Sequence, residues 1–139
     1  MPHDNSKMRS VVIKDHMSKK VVTLDPEMEI AHATQYLIAH NISGAPVLDE
    51  HGRLLGILTE KDCMEAVMQS VFHGDPVGLV SEYMSANPET VAPDQSILTL
   101  AEKLVEGRYH RYPVVDNGRL VGIISRRDVM RAMGKHFPT

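Results

Sequence analysis

The chain has one cysteine and no tryptophan among its 139 residues, and aromatic side chains make up only 4% of it. A lone Cys63 cannot close an intramolecular disulfide, and it leaves no cysteine pair for a zinc site. Apolar runs are short: none approaches the ~18 to 20 residues of a membrane-spanning helix, and no signal-peptide pattern opens the chain. The formal net charge is only −3, so neither nucleic acid nor a membrane is expected as a partner. A reducing cytoplasm is the expected location. Enzyme signatures are missing too. No nucleophile and base stand together and no Gly-rich nucleotide-binding loop is present, so no catalytic residue is expected. Eight histidines invite a metal site, yet His32 and His40 stand apart and His110 has only Arg111 beside it, so no metal is expected either.

What is present is an ordinary globular composition, 42% hydrophobic and 24% charged. With so few aromatics the core has to rest on Val, Ile, Leu, Ala and nine Met. Residues 1–12 read as a flexible polar arm.

Beyond that arm the chain repeats itself. At a shift of 67, Met17-Ser18 falls on Met84-Ser85, Pro26 on Pro93, Ile30 on Ile97, Leu37 on Leu104 and Pro46-Val47 on Pro113-Val114. One residue is then lost in the second turn and the shift becomes 66, so that Gly56-Ile57, Asp62 and Ala66 meet Gly122-Ile123, Asp128 and Ala132. Two copies result, residues 13–72 and 80–137, joined by a linker over 73–79 whose Gly74, Asp75, Pro76 and Gly78 break the preceding helix. Each copy is too small to bury an adequate core alone, so the two are expected to form one folding object.

In the first copy Val21–Leu24 is a β-branched run, and Asp25-Pro26-Glu27 predicts a helix start with Pro in the first turn. Ile30, Ala33 and Leu37 then recur at helical spacing up to His40, where Asn41 can end the helix. Ala45–Leu48, the turn Asp49–Gly52 and Leu54–Leu58 predict a hairpin, and Thr59 opens a second helix with Cys63 and Ala66 on its apolar face. The counterparts in the second copy are Thr90–Ala92, Asp94–Glu106, Tyr112–Val115, Leu120–Ile124 and Arg126–Met133. The order predicts an α+β fold of two tandem βαββα repeats. Each has an apolar sheet face to hide, so they are expected to pack sheet to sheet with pseudo-two-fold symmetry.

The strand motifs Ala45-Pro46-Val47-Leu48-Asp49 and Tyr112-Pro113-Val114-Val115-Asp116 are followed by Gly56-Ile57-Leu58-Thr59-Glu60-Lys61-Asp62 and Gly122-Ile123-Ile124-Ser125-Arg126-Arg127-Asp128. This repeated unit resembles the CBS (cystathionine-β-synthase) repeat, over nearly the whole chain. Such repeats occur in pairs, called Bateman modules, which commonly bind AMP, ADP, ATP or S-adenosylmethionine in clefts between the repeats and regulate an attached or partner protein. The resemblance implies a regulatory adenine nucleotide, no required cofactor, a homodimer, and an unidentified regulated protein acting in trans, since the repeats fill the sequence. A structural or dimerising module with empty clefts, and an S-adenosylmethionine sensor, are the competing readings.

The same resemblance assigns ligand-binding residues. Thr59 with Asp62, and Ser125 with Asp128, stand where a strand ends and a helix begins; a carboxylate there suits the two hydroxyls of a ribose, and a helix N-terminus favours phosphate. A hydroxyl followed three residues later by an acid is equally the pattern of a helix capping box. His110-Arg111 is similar to the phosphate-contacting pair in the γ subunit of AMP-activated protein kinase, Arg offering a planar fork of donors. A solvated loop with Arg111 paired to an acid such as Glu106 is the alternative. The first copy carries Ser43-Gly44 at that place, which implies two unequal clefts. One combines Thr59 and Asp62 with His110 and Arg111; the other combines Ser125 and Asp128 with Ile42, Ser43, Gly44 and Ala45, where small residues leave room for an adenine ring. Thr23 and Thr90 fall where the family often contacts base or ribose, and Lys61, Arg126 and Arg127 stand in the first helical turns, where they add charge for phosphate.

Overall fold

The computed structural model describes residues 6–136. In chain order the elements are α1 (Ser6–Arg9), a 3-10 turn (Ile13–Asp15), α2 (Ile30–Ala39), β1 (Gly44–Leu48), β2 (Leu54–Thr59), α3 (Glu60–His73), α4 (Val80–Tyr83), β3 (Ser85–Ala86), α5 (Ile97–Val105), β4 (Arg111–Asp116), β5 (Arg119–Ser125) and α6 (Arg126–Gly134). They divide into two compact units, one spanning Val21–Pro88 and the other joining the stretch up to Lys20 with the stretch from Glu89 onward. Residues 1–5 of the expected arm and the Phe137 end of the second copy lie outside the described residues.

In the Val21–Pro88 unit, α2 and α3 pack together and bury Ile30, Ala33, Leu37, Cys63 and Ala66 against Val47 and Leu58 of the β1–β2 hairpin. The other unit repeats this with Ile97, Leu100 and Leu104 of α5, Val129 and Ala132 of α6, and Val114 and Ile124 of β4 and β5. Hydrophobic burial at helical spacing on one face and on alternate strand positions is what holds each layer to the other. The β4–β5 turn is a two-residue Asn117-Gly118 link with φ of 53° and 80°, the left-handed pair that matches the twist of a hairpin. The β1–β2 turn is longer and is held by Asp49. Its carboxylate accepts from the backbone N–H of Arg53 (2.9 Å) and His51 (2.8 Å), and these bonds, Arg53 foremost, keep its pKa below the ordinary carboxylate value.

Pro26 does not open α2 as predicted. Asp25 Oδ1 accepts from Glu27 N–H (2.8 Å) and Asp25 O from Met28 N–H (3.1 Å), so residues 25–28 are a turn with Pro26 second in it. Tertiary pairing delays the helix. Ile30 N–H donates to Gly78 O (3.0 Å), Val80 N–H to Met28 O (2.8 Å) and Ser81 N–H to Pro26 O (2.9 Å). The second copy does the same with the chain's opening segment: Ile97 N–H donates to Val11 O (2.9 Å), Ile13 N–H to Gln95 O (3.0 Å) and Lys14 N–H to Pro93 O (2.8 Å). Helix α5 therefore starts at Ile97, behind Ser96, whose Oγ accepts from Leu98 N–H (3.1 Å). The described part of the expected polar arm is folded for this reason. Met8 is only 2% exposed, α1 packs on α5, and Val12 bridges Ser96.

The first predicted strand of each copy contracts to a single parallel bridge, Leu24 to Val47 and Val91 to Val114. A further strand position is filled by exchange. Ser85-Ala86, at the head of the second copy, pairs antiparallel with Ile57-Gly56 of β2. Ser18, at the head of the first copy, bridges Ile123 of β5 through two backbone hydrogen bonds of 2.9 and 3.0 Å. Glycine makes room for each incoming segment: a Cβ on Gly56 would lie 2.6 Å from Ser85 O, and one on Gly122 2.6 Å from Met17 Sδ and 2.9 Å from Ser18 O.

Candidate functional site

The two helix N-termini at Thr59 and Ser125 are built alike. Thr59 caps α3: its Oγ1 accepts from Asp62 N–H (3.3 Å), while Asp62 Oδ2 accepts from both the Thr59 N–H (2.8 Å) and the Thr59 hydroxyl (3.0 Å). Ser125 and Asp128 repeat this at the head of α6 with distances of 3.2, 2.9 and 3.0 Å. Both are capping boxes. Each box occupies only Oδ2, which leaves the second carboxylate oxygen to be accounted for.

There the copies part. Asp128 Oδ1 accepts from Arg131 Nη1 at 3.3 Å, an ion pair one helical turn along α6. Asp62 Oδ1 has no protein donor among the described residues, because its counterpart of Arg131 is Glu65. A half-buried carboxylate with one oxygen held by the backbone and the other open is an oriented hydrogen-bond acceptor. The Arg131 pairing was readable only as an i, i+3 spacing, and sequence reasoning missed it.

Each unit also brings its strand-entry residues to the same helix end. Ser43 O accepts from Glu60 N–H (2.8 Å) and Gly44 stands opposite Thr59 in the ladder, where a Cβ would sit 3.1 Å from Leu58 O. His110 O accepts from Arg126 N–H (3.0 Å) and Arg111 stands opposite Ser125. So Ser43-Gly44 adjoins Thr59 and Asp62, and His110-Arg111 adjoins Ser125 and Asp128. His110, Arg111, Lys61, Arg126 and Arg127 are exposed, and Thr23, Thr90 and Ile42 are half-buried. Among the described residues Arg111 forms no salt bridge, with Glu106 or any other acid. Ala45 is 1% exposed and its side chain belongs to the core.

Tyr112, the counterpart of Ala45, is the bulkiest fully buried side chain. Lys103 Nζ stands 5.8 Å above its ring and Tyr109 meets it edge-on at 5.6 Å. Burial, with help from the Glu89 carboxylate, pushes its phenol pKa up to about 12. Among the described residues no group of three or more His, Cys, Asp or Glu side chains is placed to hold a metal ion, and no helix is long and apolar enough to cross a membrane.

The family model of the CBS domain matches residues 13–69 and 80–135. The chain belongs to the CBS domain family. As a CBS pair it is similar to CBSX2, solved in complex with AMP, at a TM-score of 0.79 and 25% identity, covering 89% of this chain and 96% of that one. It is also similar to the CBS domain pair of protein MJ0100, solved with 5-methylthioadenosine and S-adenosyl-L-methionine, at a TM-score of 0.73 and 33% identity over 90% of this chain and 97% of that one. The L-aspartate semialdehyde sulfurtransferase of Methanocaldococcus jannaschii is 34% identical over 134 residues, 94% of this chain and 25% of the enzyme. The chain thus spans less than half the length of the first curated relatives it matches.

Proposed function

We propose that this CBS pair is a regulatory module that binds an adenine nucleotide of the AMP, ADP or ATP class and passes its occupancy to a regulated protein. The observation that carries this reading is the pair of oriented carboxylates at the heads of α3 and α6, with Asp62 Oδ1 unclaimed among the described residues, together with the exposed Arg111 beside His110, which forms no salt bridge among them. A carboxylate takes ribose hydroxyls and a guanidinium takes phosphate oxygens. The complexes of CBSX2 with AMP and of MJ0100 with adenosyl compounds support the choice of an adenosine ligand. By resemblance, Thr59 and Asp62 share their ligand with His110 and Arg111, and Ser125 and Asp128 share theirs with Ile42 to Ala45. The module itself carries no chemistry. It acts as a homodimer through its exposed helix faces, and its free Cys63 suits a reducing compartment such as the cytoplasm.

Thermal unfolding with a panel of AMP, ADP, ATP and S-adenosylmethionine tests the reading. A ligand that binds only the folded state stabilises it by about 2.7 kcal/mol at a hundredfold excess over Kd. The expected result is a concentration-dependent rise with the adenine nucleotides. A rise with S-adenosylmethionine alone transfers the module to the sulfonium class, and four unmoved melting curves leave a structural module with empty clefts.

A further inference from the structure

The two units carry opposite charge. Of the fifteen Lys and Arg residues only Arg53 and Lys61 fall within 21–88, while ten of the eighteen acids do. The Val21–Pro88 unit is therefore strongly acidic and the other unit basic, although they are copies of one fold. The difference reaches the outer helix faces. Between α2 and α3 lies an apolar groove of about 740 Å³ lined by Ile38, Met64, Val67 and Met68 among others, with Glu60 at its rim. Glu65 is exposed one turn along α3. On the α5–α6 face the counterpart of Ile38 is Val105 and that of Met64 is Met130, exposed by 86% and 71%. The counterparts of Glu60 and Glu65 are Arg126 and Arg131, and Arg108 replaces Asn41.

We infer that the acidic α2–α3 groove receives the basic α5–α6 face of a second copy, so that self-association joins unlike repeats. The inference rests on the reading of the module as a homodimer and deepens it. Met130 and Val105 project from their own helices and fill the apolar groove, and Arg126 and Arg131 meet a rim carrying Glu60 and Glu65. Pairing of like faces sets Glu60 and Glu65 against the same two acids, or Arg126 and Arg131 against the same two bases. Both arrangements cover apolar surface, and the charges distinguish them.

Sedimentation equilibrium of the nucleotide-free chain tests this with three variants: Glu60→Arg with Glu65→Arg, Arg126→Glu with Arg131→Glu, and all four substitutions in one chain. Each two-site variant is expected to weaken self-association about tenfold, the scale of a few exposed ion pairs turned to repulsion, and the four-site chain to recover it. Wild-type association is expected to weaken as salt is raised from low to high, since screening removes attraction. A monomeric wild type overturns the homodimer reading and this inference together. A wild-type dimer that strengthens with salt, or whose affinity neither two-site variant changes, keeps the homodimer and overturns the pairing of unlike faces. Failure of the four-site chain to recover, with its melting temperature unchanged, overturns it as well.

Discussion

Replacing Gly56 by Ala probes the strand exchange directly. The added methyl carbon would sit 2.6 Å from the carbonyl oxygen of Ser85 and 2.8 Å from Met84 Sδ. The thioether can swing aside. The carbonyl belongs to the backbone of β3 and cannot move without loosening its pairing with β2. Overpacking of this kind costs about 1 to 3 kcal/mol, whereas the lower unfolded-state entropy of Ala returns about 0.5 to 1 kcal/mol. The clash wins by about 1 kcal/mol at the middle of these ranges and by about 2.5 kcal/mol at most, which for a chain of this size lowers Tm by about 3 to 8 °C. Gly134→Ala is the control, since a Cβ there meets nothing within 4 Å among the described residues, and it is expected to leave the melt unchanged or slightly raised. Gly122→Ala should behave as Gly56→Ala does, because its Cβ would lie 2.9 Å from Ser18 O. Thermal melts by circular dichroism read all three. A Gly56→Ala melt at or above wild type, or indistinguishable from Gly134→Ala, refutes the argument that the exchanged segment needs a glycine beneath it.

The candidate site makes its own demands. Asp62→Ala is expected to weaken adenosine binding by about 1 to 3 kcal/mol, and Asp128→Ala by less, because Arg131 already engages its second oxygen; titration calorimetry of both variants reads the difference, and equal losses reject the asymmetry. Arg111→Ala should weaken AMP strongly while sparing adenosine, with an effect that shrinks as salt rises. A double-mutant cycle with AMP should couple Arg111 to Asp62 more than to Asp128 if the ligand draws on both repeats, and the reverse result assigns the phosphate to the carboxylate beside Arg111 in its own unit. Burial pushes the Tyr112 phenol up to about 12 from the ordinary 10.0, so it favours folding in full below about pH 10, and that contribution is lost as pH rises toward 12. Urea titrations should show Tyr112→Phe flatter than wild type across that alkaline window, and parallel curves count against a buried phenol.

What the sequence determined alone was everything with a local cause. Both hairpins depend on residues at most a few positions apart and the duplication on a match at a fixed shift, so the chain alone was enough to read them, while the spacing at Thr59 and Ser125 offered the capping box as one of two readings. Asn117-Gly118 prefers left-handed backbone wherever it stands, and an acid three residues after a hydroxyl meets the same N–H groups at any helix start. The tertiary structure decided what depends on distant partners. Asp25-Pro26-Glu27 carries a sound helix-start signal, yet Pro26, Met28 and Ile30 are claimed by backbone groups of residues 78–81, some fifty positions on. Met17-Ser18 and Met84-Ser85 were visible as matching repeat heads, but that each completes the sheet of the other copy follows from hydrogen bonds no spacing could announce. The fate of the second carboxylate oxygen was decided the same way, by whether a rotamer of Arg131 reaches Asp128, and at Asp62 nothing of that sign stands one turn along to try.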